Sequence, residues 1–146
     1  MTADDPTAST PRPPGSTPAP AGERRLEADP HAQALLLVPE INLTPQLEAQ
    51  VRARFPAFGV VVLHSGLAAG QRASAWLAAH EGRARVVVGT RLAVFASLPR
   101  LALIVTTGPH NAAIDVAAAH ASGIVVCGTR SVASGTPELT WLLILA

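Results

Sequence analysis

Few stretches of this 146-residue sequence bring reactive groups together, and the clearest is Gly89-Thr90-Arg91. It follows the β-branched run RVVVG (85–89), so the turn it makes should lie at the carboxyl end of a strand. There a free backbone N–H, a hydroxyl and a guanidinium would stand side by side, a set suited to a phosphate. Cys127 is the only thiol and ends the apolar run IVVC, where a buried, inert side chain is expected rather than a nucleophile. A lone cysteine excludes an internal disulfide and points to a reducing, cytoplasmic setting. The chain has no lysine, hence no GxxxxGK[ST] phosphate loop, and no GxGxxG turn for a dinucleotide. No metal site is expected.

The elements that would position these groups alternate in type. Five short apolar runs, ALLLV (34–38), VVVL (60–63), RVVVG (85–89), LALIV (101–105) and IVVC (124–127), are continuous rather than alternating. That is the pattern of strands covered on both faces of a parallel sheet. Between them the spacing predicts helices. Thr44 caps the first, with Pro45 in its opening turn and Pro56 beyond its end at Phe55. The second covers about 71–80, with Trp76 and Leu77 as apolar anchors and Gly82 as its stop. The third covers about 112–121, where Asn111 is placed to cap and Asp115 to bond locally or face solvent. A fourth starts near Thr136 and runs apolar through LTWLLILA. The expected fold is α/β, a parallel sheet of β-α units.

Residues 1–31 are expected to form a disordered Pro/Ala-rich tail, because residues 1–22 hold six of the 13 prolines and almost no large aliphatic side chain. They lack the basic and apolar regions of a signal peptide, and no run approaches the ~20 apolar residues of a membrane span. The charge is unevenly spread. Residues 34–100 hold Arg52, Arg54, Arg72, Arg83, Arg85, Arg91 and Arg100 against Glu40, Glu48 and Glu81. A basic middle permits phosphate contact without demanding it, and a plain solvated surface is the first reading of that charge alone.

Residues 35–104 carry a longer signature. VPEINLTPQ and GTRLAVFASL, set in LLLVPEINLTPQLEAQVRARFP and VVLHSGLAAGQRASAWLAAHEGRARVVVGTRLAVFASLPRLALIV, resemble the helicase core of the primosomal replication-restart helicases, the PriA family. The resemblance implies that the first motif helps to track single-stranded DNA and that the second lies beside its backbone. Thr90 and Arg91 are then the leading DNA-backbone candidates, followed by Thr44, Gln46 and His64. Thr44 is equally well read as a helix cap, and His64 as a loop histidine with local hydrogen bonds. The resemblance also implies ATP with Mg²⁺, yet the phosphate loop is missing. So is the acidic DEEH motif, since LALIV continues into Thr106-Thr107-Gly108.

From that strand onward the chain resembles a second family, the substrate domain of the D-isomer-specific 2-hydroxyacid dehydrogenases. The residues concerned are Thr106, Thr107, Gly108 and Asn111, the IDxAAA stretch from Ile114, the GIVVC strand and ELTWLLILA. This resemblance implies that Thr107 and Gly108 line a substrate loop through backbone N–H groups and that Thr136 faces NAD. The glycine also has a plain reading as a turn residue. The family's catalytic arginine, acid and histidine have no counterparts here.

Both families carry a Leu-Pro-x-Leu-x-Leu-Ile-Val phrase, so the change of resemblance falls within residues 98–105. The expected organisation is a tail (1–31), a partial helicase ATPase-lobe segment (32–104) and a partial dehydrogenase segment (105–146). Such a hybrid, arising by recombination or by misassembly of reads, is expected to lack catalytic activity and to need no cofactor of its own. The alternatives are a residual single-stranded DNA-binding module and a dehydrogenase fragment that works with a separate NAD-binding domain. The apolar last helix would be the contact for a protein partner.

Overall fold

The computed structural model describes residues 21–108 and 111–129. The strands are β1 (Gln33–Leu37), β2 (Val60–Leu63), β3 (Val86–Gly89), β4 (Leu101–Thr106) and β5 (Val125–Gly128). They form one sheet in the order β2-β3-β1-β4-β5, parallel throughout. The helices are α1 (Ala21–Ala28), α2 (Pro45–Arg54), α3 (Ala69–His80) and α4 (Val116–Ala121), with short 3-10 turns at Glu40–Asn42 and Arg91–Phe95. The α/β expectation holds, and each expected strand lies within a residue or two of its observed place.

Continuous apolar strands give the sheet two apolar faces, and each builds its own layer. On one face Ala34, Val60, Val62, Val86, Val88 and Leu103 pack with Leu26 of α1 and Val51 of α2. On the other, Leu35, Leu63 and Val87 pack with Ala79 of α3 and Ala93 of the second 3-10 turn. Alternate strand residues point to opposite faces, and the two sets interleave along the strands except early in β4, where Ala102 and Leu103 both join the first layer and the register against β1 shifts.

The structured part starts earlier than expected. Residues 21–28 are helical, and Leu26 is buried in the first layer. Composition hid this, because two arginines do the holding. Arg85 donates to the carbonyls of Leu26, Asp29 and Ala32, and its guanidinium lies 4.9 Å from the centre of the Phe58 ring. Arg25 donates to Ala102 O at 3.2 Å and to Gly123 O at 2.9 Å. Residues 1–20 lie outside the described residues.

Two helices also differ from expectation. In α3 the anchors are Ala78 and Ala79, while Trp76 and Leu77 stay 42% and 52% exposed. The small residues bring the helix backbone close to β2, and the large ones fall on its outer side. α4 is shorter than expected, and Asp115 rather than Asn111 caps it, accepting from Ala118 N at 2.9 Å. Asn111 closes the preceding turn instead, accepting from Ala113 N at 3.0 Å. Cys127 is half-buried rather than buried. The expected fourth helix lies outside the described residues.

Candidate nucleic-acid interface and the cleft at the carboxyl edge

Strand order decides where a site can form. From β1 the chain travels to β2 at one edge of the sheet, and from β4 it travels to β5 at the other. The connections leaving β1 and β4 therefore part in opposite directions, which opens a crevice at their carboxyl ends. A cleft of about 980 Å³ lies there, floored by Leu35, Leu37 and Ile104 and rimmed by Glu40, Arg91 and Thr107.

Gly89 shapes the rim. A Cβ at this position would sit 2.4 Å from Leu63 O and 2.5 Å from the Ala93 Cβ, so only glycine lets the turn after β3 fold back over β2. That turn carries Thr90 and Arg91 to the mouth of the cleft, but not as expected. Thr90 is buried, its N–H donates to Leu63 O at 3.2 Å, and its carbonyl accepts from Ala93 N. The Thr90 N–H is thus already engaged. Arg91 is the group left outward, its side chain 92% exposed, with Glu40 at 3.7 Å.

The other DNA-backbone candidates sort by local bonding. Thr44 is the α2 cap, accepting from Leu47 N at 3.2 Å, which satisfies one of the first N–H groups of the helix. Gln46 lies in the exposed first turn. His64 directly follows β2 and accepts through Nδ1 from Gly66 N at 3.1 Å, the local hydrogen bond expected of a loop histidine. Glu40 was not singled out from the sequence, although it links the loops. Its carboxylate accepts from Ser65 Oγ at 2.9 Å and faces Arg91, joining the carboxyl ends of β1, β2 and β3. Nothing in the linear sequence marks that contact, because the three residues meet only once the strands are ordered.

The charge of residues 34–100 does not gather into one patch. Arg52 is engaged by Glu48 and Val60 O, Arg54 by Glu23, Arg83 by Glu81, and Arg85 by the carbonyls near α1. Each of these neutralises or fixes a cation for a structural end.

Of the substrate-loop candidates, Thr107 is exposed and lines the cleft. Gly108, at φ +86°, turns the chain as a glycine can. Its N–H donates to Thr129 Oγ1 at 2.8 Å, so it does not offer the open amide expected of it. Thr136 lies outside the described residues. Among the described residues, the connection from β1 to α2 suits neither ATP with Mg²⁺ nor the pyrophosphate of NAD. The chain between β1 and α2 reads VPEINLT, with a proline and a carboxylate where a phosphate would need glycine N–H groups. Among the described residues no three His, Cys, Asp or Glu side chains gather as a metal site, and no helix is long and apolar enough to cross a membrane.

No family model matches the chain. It is 47% identical over 77 residues to the replication restart protein PriA of Synechocystis sp., a match to 53% of this chain and 9% of that protein. It is 40% identical over 79 residues to PriA of Bacillus subtilis, covering 54% of this chain and 10% of that protein. The chain thus spans about a tenth of the length of these relatives. PriA of Chlamydia pneumoniae is 33% identical over 129 residues, which cover 77% of this chain and 17% of that protein. Residues 32–104 are half the chain and cannot contain that span.

Among solved structures, Mss116p DEAD-box helicase domain 2, bound to an RNA duplex, superposes with a TM-score of 0.55 at 14% identity. That likeness covers 75% of this chain and 46% of that one. Dbp5 of S. cerevisiae, solved with Gle1 and IP6, gives 0.52 at 16%, covering 75% and 31%. At such identities the likeness concerns the fold alone. About half of this chain is therefore a PriA-like, helicase-like fragment, folded as a parallel α/β sheet of the kind found in helicase domains.

Proposed function

We propose that the carboxyl edge of β1, β2 and β3 contacts the backbone of single-stranded DNA, within a hybrid cytoplasmic chain that has no catalytic activity of its own. The observation that carries this reading is Arg91, which the turn after β3 delivers to the mouth of the crevice almost fully exposed. The PriA-like stretch supplies the nucleic-acid context, as a likeness to proteins of replication restart. Gln46 and His64 stand at the ends of the neighbouring loops. Thr44 and Thr90 act by holding α2 and the turn rather than by touching a phosphate. Contact through one exposed guanidinium is weak and salt-sensitive.

The test is the fluorescence anisotropy of a labelled oligothymidylate, titrated with the whole chain at several salt concentrations. Binding should weaken as salt rises, with a slope of about 0.7 per phosphate neutralised. Arg91→Ala should remove it. Binding indifferent to salt or to that substitution would sink the proposal.

A second reading concerns residues 105–146 as a dehydrogenase-type substrate segment. In its favour, β4, α4 and β5 form a β-α-β unit, and Thr107 opens onto the cleft. It predicts no NAD binding by this chain alone, and enhanced keto-acid reduction only with a separate NAD-binding domain. Failure of every such domain to associate would count against it.

A further inference from the structure

The turn after β3 is held from within and bare on its outer side. Ala93 is fully buried in the second layer, its N–H donates to Thr90 O at 2.9 Å, and its carbonyl accepts from Ala96 N at 3.1 Å. Just beyond, Ser97 Oγ and His80 Nδ1 lie 2.9 Å apart and tie the segment to α3. Yet the same few residues leave Val94 58% and Phe95 71% exposed, both on the wall of the cleft that Arg91 rims. Phe95 differs here from the other two phenylalanines of the chain. Phe55 and Phe58 meet edge to face at 5.9 Å, with the Arg85 guanidinium over the second ring. Among the described residues Phe95 meets neither a ring nor a cation. An aromatic side chain on a fixed turn, with apolar surface around it, is a place for a flat apolar group of a partner.

Charge narrows what that partner is. Among the described residues that line the cleft only Arg91 and Glu40 are charged, and both stand at the rim. The floor of Leu35, Leu37 and Ile104 carries none. An anionic group therefore has one favourable place, the outer side of Arg91, and whatever enters the cleft must be neutral and largely apolar. Arg91 and Phe95 begin and end the 3-10 turn, so they stand about 8 Å apart along its axis. A nucleotide offers both parts over such a distance, a phosphate outside and a base within. One exposed guanidinium holds a strand only weakly. Stacking of a base on an aromatic ring adds an uncharged contribution that every base can make.

We propose that the cleft takes a nucleobase of single-stranded DNA, stacked on Phe95, while Arg91 holds a neighbouring backbone phosphate. This rests on the DNA contact proposed above and gives it a base-binding part that a phosphate contact alone does not have. The cleft, about 980 Å³, lies in the range of pockets that enclose a drug-sized ligand, and a base with its sugar is no larger. The turn is closed by its own hydrogen bonds before any strand arrives, so the protein loses little freedom on binding. Recognition by stacking tolerates any base, and the site should therefore show little sequence preference.

The test compares two labelled ligands by fluorescence anisotropy with the whole chain: oligothymidylate, and an oligomer of the same length whose sugars carry no bases. The base-free oligomer should bind roughly 5- to 150-fold more weakly. Phe95→Ala should weaken oligothymidylate binding to a similar extent and leave the base-free oligomer unaffected. Its salt slope should stay that of the unsubstituted chain, because no phosphate contact is lost. Phe95→Trp should keep full binding, whereas Phe95→Leu, apolar but without a π face, should not. Phe95 is exposed, so the urea midpoints of these variants should match that of the unsubstituted chain. Equal binding of the two oligomers, with Arg91→Ala abolishing both, overturns the stacking and leaves the backbone contact standing. Full binding by Phe95→Leu reduces the wall to apolar cover and overturns it as well. Binding of neither oligomer removes the DNA contact itself and the base site with it.

Discussion

Replacing Gln33 by leucine tests how the opposite, amino edge of the sheet is held. Gln33 is fully buried at the start of β1. Its Nε2 donates to Ala79 O at 2.7 Å and Ala84 O at 3.1 Å, and its Oε1 accepts from Arg100 N at 3.1 Å. One amide therefore ties β1 to the end of α3, the approach to β3 and the approach to β4. Leucine fills a similar volume, so the loss is one of hydrogen bonds rather than packing. Ala79 O keeps a second partner in Gly82 N at 3.1 Å. Ala84 O and Arg100 N lose the bonds that Gln33 made, at about 1–3 kcal/mol for each buried group left unpaired. Arg100 N is only partly buried and water reaches it, so its share falls at the low end. The sum is about 3 kcal/mol, a large part of the ~5–15 kcal/mol that holds a domain together. For roughly 100 residues that lowers the melting temperature by roughly 15 °C. Urea unfolding followed by far-UV circular dichroism measures it. A loss below about 1 kcal/mol would show that the network is not what fixes the strand ends. Gln33→Glu makes a second point. It keeps the acceptor for Arg100 N but removes both donated bonds and buries a charge, so it should destabilise more than leucine does.

Gly89→Ala would force its Cβ into Leu63 O and Ala93 Cβ; about 3 kcal/mol should be lost in a thermal melt, with the Arg91 turn displaced. Arg85→Met removes the bonds to Leu26, Asp29 and Ala32 carbonyls. Hydrogen exchange should then show α1 unprotected while the sheet amides keep their protection. Thr44→Ala removes the α2 cap and should cost about 1 kcal/mol, restored by Thr44→Ser, when both are compared in urea. Glu40→Gln frees Arg91 from its neighbouring carboxylate. Oligothymidylate affinity should rise by about two- to fivefold at low salt, the equivalent of the ~0.5–1 kcal/mol of an exposed ion pair; unchanged affinity would separate Glu40 from the proposed interface.

The strands were legible because burial on both faces demands uninterrupted apolar runs, and five such runs stand out against a polar and alanine-rich background. Caps were legible where side chain and helix are neighbours in sequence, as at Thr44. What escaped depends on distance along the chain. Arg25 and Arg85 make α1 part of the domain through carbonyls dozens of residues away, and no composition rule sees that. Trp76 looked like an anchor because it is large, yet the close approach of α3 to the sheet selects alanine. The phosphate set at Gly89-Thr90-Arg91 was read as three available groups. Folding engages the threonine, because the turn that exposes Arg91 is itself closed through the Thr90 N–H and carbonyl.

β4 links β1 to β5 in the sheet, and its pairing with β1 carries an irregularity: Gln33 lies opposite Leu101 but Ala34 opposite Leu103. The strand is flanked on both sides, by β1 with Leu35 opposite Ile104 and by β5 with Val126 opposite the same residue. Leu103 points into the first layer and Ile104 into the second. A parallel strand is specified by this phase and by which face each residue meets, not by the identity of the next segment. Any β-α unit that starts in the same phase can therefore continue from β4 with its own helix and strand, and β5 pairs with β4 over four residues on those terms. The requirement is local, and so is its failure: adding one residue within 101–104 would exchange the faces of the strand, setting Leu103 against the open cleft and Ile104 against Leu26. An insertion of one alanine after Ala102 should consequently destabilise the sheet far more than an insertion in the loop after Gly108, as read by the urea midpoint of each variant. Equal midpoints would mean that the phase of β4 is not what holds the sheet together.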